Sequence, residues 1–86
     1  MTMQHALTAG GYLAAAARRR ISAMQQERVY LDHLRRQADK AAQAYDEPAF
    51  VQFCREMDAV VERIGKLDAE RIEFVKAVYL LRSRFE

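Results

Sequence analysis

Apolar residues in the second half of the chain recur with a heptad rhythm. Phe50, Met57, Ile64, Arg71, Val78 and Phe85 follow one another at seven-residue steps, and Phe53, Val60, Leu67, Phe74 and Leu81 repeat three residues behind them. Apart from Arg71 both rows are apolar, which is the a/d seam of a helix that packs along its whole length against another helix. The first half carries a weaker version of the same pattern. Leu13, Arg20, Glu27, Leu34 and Ala41 form one row, and Ala17, Met24, Leu31, Ala38 and Tyr45 form the other. Its alanines leave room for the phenylalanines opposite.

Only two places interrupt this pattern, Gly10-Gly11 and Asp46-Glu47-Pro48; the third glycine, Gly65, stands alone. Pro48 disfavours helical dihedrals at Glu47 and is itself comfortable in a first helical turn, so one helix should end near Tyr45 and the next begin at Pro48, capped by Asp46 or Glu47. The expected organisation is a single all-α domain. It has a flexible N-terminus over 1–11, helix 1 over 12–45, a turn at 46–47 and helix 2 over 48–83. Each helix would be about 50 Å long, and so short a turn returns the second antiparallel to the first. The predicted fold is a coiled-coil-like helical hairpin.

A turn at this point sets the pairing. Leu34 should lie near Val60, Met24 near Glu70 and Arg71, and Leu13 near Leu81. Glu27 then falls within about a turn of Arg71, which predicts a Glu27–Arg71 polar layer that fixes the register, since a slipped alignment would bury an unpaired charge.

A lone hairpin buries one stripe per helix, yet apolar residues also stand off the seam: Ile21, Val29 and Tyr30 in the first arm, and Val51, Val61, Val75, Tyr79 and Leu80 in the second. Val61 and Val75, with Cys54, widen the stripe on one flank. The cluster Val75, Val78, Tyr79, Leu80 and Leu81, near the open end of the hairpin, predicts a further contact. Its expected occupant is a second copy, giving a homodimeric four-helix bundle, or else the helix of another protein.

Composition narrows the chemistry. The 86 residues include one cysteine, two histidines, and two each of serine and threonine, so no internal disulfide or thiolate metal site can form. No phosphate-cradling glycine loop, nucleophile elbow or dinucleotide fingerprint occurs. His5 and His33 have no histidine four residues away, so neither a metal nor any other cofactor is expected, and the protein reads as a non-enzyme. Cys54 reads as a small apolar filler.

The net charge of +2 conceals an uneven distribution: residues 1–45 hold seven basic and three acidic side chains, residues 46–86 seven and nine. Two such arms attract each other. Arg18-Arg19-Arg20 fan around a helix, whereas Arg28 and Arg35 align at a seven-residue step, and these two are the candidate contacts for the alternative reading, a small helical regulator that touches nucleic acid. The only alanine-rich apolar run precedes its basic triplet, the reverse of a secretory signal, and no segment reaches the length of a membrane span, so a cytoplasmic location is expected.

The stretch Phe50-Val-Gln-Phe53-Cys-Arg-Glu-Met57-Asp-Ala-Val-Val61 resembles the start of the second helix in the stalk proteins of flagellar and type III secretion systems, antiparallel helical hairpins that act as adaptors at an export ATPase. The resemblance rests on the spacing of aromatic and aliphatic residues, implies a hairpin with an adaptor role, and transfers no functional residue. The sequence thus points to a non-enzymatic interaction module, an adaptor, chaperone or anti-activator. Charged flanks such as Arg28, Arg35, Glu62 and Glu73 would set partner choice.

Overall fold

The computed structural model describes residues 3–85, with side chains over 9–84. Two helices, α1 (Met3–Gln43) and α2 (Glu47–Phe85), account for it, and the described residues contain no strand. Packed against each other, they form a rod measuring 63 × 14 × 14 Å. The all-α hairpin expected from the heptads is the fold observed.

The turn is built from backbone geometry and one carboxylate. The Asp46 N–H donates to the Ala41 carbonyl at 2.8 Å and the Tyr45 N–H to that of Ala42 at 3.1 Å, the two bonds of a Schellman motif. Tyr45 takes the left-handed conformation this motif needs, with φ 55°. Asp46 then caps α2: its Oδ1 accepts from the Ala49 N–H at 3.2 Å, while its carbonyl accepts from the Phe50 N–H at 3.0 Å. One residue therefore closes the first helix and starts the second. Pro48 sits in the first turn of α2, where its missing N–H removes no helical bond. Helix 1 stops at Gln43 rather than 45, because Ala44 and Tyr45 are spent on the cap.

A side chain at the left-handed position costs about 1–2 kcal/mol that glycine avoids, and Tyr45 is 95% exposed, so its ring returns almost nothing. Tyr45→Gly is expected to raise stability by about 0.5–1 kcal/mol after the added flexibility of the unfolded chain is counted. A urea melt showing an unchanged or lower midpoint would contradict this reading of the turn.

At the other end the expectation fails. Gly10-Gly11 does not break the first arm; α1 runs through both from Met3, and neither glycine has a positive φ. Two helical glycines cost about 1 kcal/mol each relative to alanine, which propagation in a long helix, alanine-rich just downstream, absorbs.

The core is thin and lies mostly on α1. Among the described residues Ala16, Ala17, Met24, Leu34, Ala38, Ala41 and Val60 are buried, with Leu34 at 2% and Val60 at 1% exposure. On α2 the two heptad rows are the half-buried face: Phe53, Met57, Ile64, Leu67, Arg71, Phe74, Val78 and Leu81 flank Val60. Phe50, at the turn, is more open at 39%. Tyr45 leaves the first-arm seam, because the left-handed turn swings it into solvent. Phe85 lies outside the described side chains.

Candidate interaction surface

The two long sides of the hairpin differ in chemistry. One is closed by ion pairs between the helices. The Arg20 Nε donates to Glu70 Oε2 at 3.0 Å, and Arg63 grips Glu27 with two bonds, Nε to Oε1 at 3.1 Å and Nη2 to Oε2 at 2.9 Å. The Glu27 hydrogen bond holds the Arg63 guanidinium above its ordinary pKa. The Arg20 guanidinium also lies 4.8 Å from the centre of the Phe74 ring, a cation–π contact that covers one edge of the seam.

These pairs correct the predicted polar layer. Glu27 does stand in the polar part of the seam, with 25% of its side chain exposed, but its partner is Arg63. Arg71 turns instead to Asp68 on its own helix at 2.9 Å. The reason is reach: Arg63 lies on the flank that Glu27 leans toward, whereas Arg71 borders the opposite groove with Ile21, Met24, Arg28 and Asp68. Two pairs seven residues apart on each helix, running in opposite directions, also establish the antiparallel alignment directly.

The arrangement is selective for register. A slip of one heptad in one direction would oppose Glu27 to Glu70. In the other direction it would oppose Arg20 to Arg63 and Glu27 to Glu56. Like charges meet either way, so only the observed alignment satisfies both rows. Arg20/Glu27 and Arg63/Glu70, each a cation and an anion at a seven-residue step, carry this signal in the sequence, and it is less conspicuous there than Arg71, the single polar residue in the second seam.

The opposite side is open and mixed. Ile21 and Arg28 of α1 face Asp68 and Arg71 of α2 across a shallow groove that continues past Leu31, Asp32, Arg35, Met57 and Val61. Arg28 makes no ion pair among the described residues. Arg35 does: its Nη2 donates to Asp32 at 2.8 Å, and Arg36 donates to the other oxygen of the same carboxylate. An acid seated between Arg28 and Arg35 opposes the phosphate contacts that the nucleic-acid alternative requires.

The predicted contact cluster divides in two. Val78 and Leu81 are half-buried in the seam against α1, so they do not face outward. Val75, Tyr79 and Leu80 do, at 47%, 71% and 65% exposure, and with Lys76 they line an apolar hollow near the open end. Val78 and Leu81 belong to the heptad rows of the seam, so the five residues do not form one belt. Further apolar exposure lies along the rod: Val29 at 72%, Tyr12 at 65%, Val61 at 56% and Ile72 at 38%.

The remaining chemistry is sparse. Cys54 is a half-buried free thiol, and His33 lies 6.5 Å from Tyr30, ring to ring. Among the described residues no group of three or more His, Cys, Asp or Glu could hold a metal ion, and no helix is long and apolar enough to cross a membrane. Comparison with known proteins found no matching family model, curated protein or solved structure.

Proposed function

We propose that this chain is a non-enzymatic helical interaction module that self-associates and engages another protein through the apolar surface left outside its seam, with Val75, Tyr79 and Leu80 at the centre of that surface. The observation that carries the reading is the group of large apolar side chains that the two-helix fold leaves in solvent: Tyr79 at 71%, Leu80 at 65%, Val61 at 56% and Val75 at 47%. The chain exposes 6585 Å². A compact monomer of this mass would expose about 5,200 Å². The excess of about 1,400 Å² follows from the rod shape, 63 × 14 × 14 Å, whose long sides give a second helix a length to lie along.

The mechanism is burial of these side chains against a helix, with charged neighbours selecting the partner and its orientation. An adaptor, chaperone or anti-activator would each act this way. The paired substitution Val75→Glu with Tyr79→Glu should leave far-ultraviolet helicity intact, because neither residue belongs to the core, and should reduce the sedimenting mass to that of one chain. Unchanged mass with intact helicity would refute this surface.

A further inference from the structure

The outward face of α2 carries a second heptad pattern that the hairpin does not use. Val51, Val61, Gly65, Ile72, Val75 and Tyr79 fall on two adjacent rows with alternating three- and four-residue steps once Cys54, Asp58, Asp68 and Arg82 are placed between them. The apolar members are open: Val61 at 56%, Val75 at 47%, Ile72 at 38% and Tyr79 at 71%. A helix with two seams is built for two neighbours, and α1 supplies only one.

Gly65 sits midway along this row and is exposed. A Cβ added there would meet nothing within 4 Å, and its φ is not positive, so nothing within the chain itself calls for glycine. In a helix interior it is the least favourable residue after proline. A glycine at that place becomes useful when another backbone or a bulky side chain comes close.

The charges choose the neighbour and its direction. Asp58 and Glu62 lie on the N-terminal half of the face, Lys76 and Arg82 on the C-terminal half. Asp58 and Arg82 make no ion pair among the described residues, while Glu62 and Lys76 have only long, exposed contacts to their own helix, 3.7 Å to Lys66 and 3.8 Å to Glu73. Two parallel copies would set like on like. Two antiparallel copies set Asp58 against Arg82 and Glu62 against Lys76, Val61 against Tyr79, and Gly65 against Val75, with Arg55 falling opposite Ser83. Asp68, which then faces Ile72, keeps the partner it already has in Arg71 at 2.9 Å.

We infer that the occupant of this face is a second copy of the chain, docked α2 against α2 in antiparallel twofold symmetry, with the Val75 side chain of each copy resting on Gly65 of the other. The inference rests on the self-association proposed above and specifies its geometry. The charge pairing favours this antiparallel alignment along a face that runs over most of α2, from Asp58 to Arg82.

Two measurements test it on the full chain. Gly65→Leu should raise the dimer dissociation constant at least tenfold by sedimentation while leaving helicity equal or higher, since the site is open in the monomer. A nitroxide on the single cysteine, Cys54, should report a spin–spin distance of about 50 Å, the separation of two such sites lying thirty-two residues out of step along antiparallel helices at 1.5 Å per residue. A distance under about 20 Å would show parallel packing, and an unaffected dissociation constant for Gly65→Leu would show that another face is used. Either overturns this geometry while the self-association reading stands. A monomer at every concentration overturns both.

Discussion

Leu34→Ala is expected to cost about 2–5 kcal/mol and to lower the thermal midpoint by 10 °C or more, on the scale of roughly 4–8 °C per kcal/mol for a chain of this size. Leu34 is 2% exposed in a core of only seven described residues, four of them alanine. The core's alanines carry only a methyl group, with no rotamer that could swing into a cavity, so the site collapses poorly and the cost belongs toward the upper part of that range. Val29→Ala supplies the comparison: the same helix loses an apolar side chain of similar kind, but from a position 72% exposed. It should shift stability by no more than about 0.5 kcal/mol. Both melts belong at one fixed protein concentration, because association contributes to the apparent midpoint. Similar losses at the two positions would contradict the assigned seam.

The second large effect is electrostatic. Glu27→Arg would place a cation against Arg63, at a position where only 25% of the side chain meets solvent. A fall of several degrees in the thermal midpoint is expected, with a similar direction for Arg63→Glu, which would bring a carboxylate to Glu27. Combined, the two reversals restore an ion pair of the opposite polarity, and the double variant should regain most of what either single change loses. Glu27→Arg with Arg71→Glu should show no such recovery, because Arg71 bonds Asp68 and borders the other groove. Additive losses for the Glu27/Arg63 pair would show that the contact does not contribute to register. The comparison separates a specific cross-helix bond from a general charge effect, as a double-mutant cycle does.

Much of this fold is legible in the sequence, and the places where reading fails share a cause. The a/d rows from Phe53 to Leu81 are the face that α2 turns inward, because large apolar residues at seven-residue steps gather into one stripe along the helix. Asp46 is the cap because its carboxylate and Pro48 behind it both favour a helix start there. Gly10-Gly11 misleads because local propensity is a weak force beside the cooperativity of a long helix. Glu27 and Arg71 both occupy seam rows, which is why the sequence suggests them as partners. The actual choice of Arg63 depends on which side of the seam each long side chain leans toward, and a one-dimensional register does not encode that. The belt at Val75 to Leu81 fails in the same way, since consecutive residues on a helix point in different directions.

The surface is harder to read than the seam. Val61, Ile72, Val75 and Tyr79 are apolar and open, and the sequence marks some of them as surplus to the hairpin. What they meet depends on a molecule outside the chain. The second heptad on α2, Gly65 within it, and the acidic and basic halves of its border are the features that carry information about that molecule.

Mass in solution, followed by sedimentation across a concentration series of the unmodified chain, tests the central claim most directly. The account predicts a species of about twice the chain's 9.9 kDa that persists on dilution and dissociates only toward the lowest concentrations. A single 9.9 kDa species throughout the series would contradict it, and would leave the apolar side of α2 without the partner that its pattern implies.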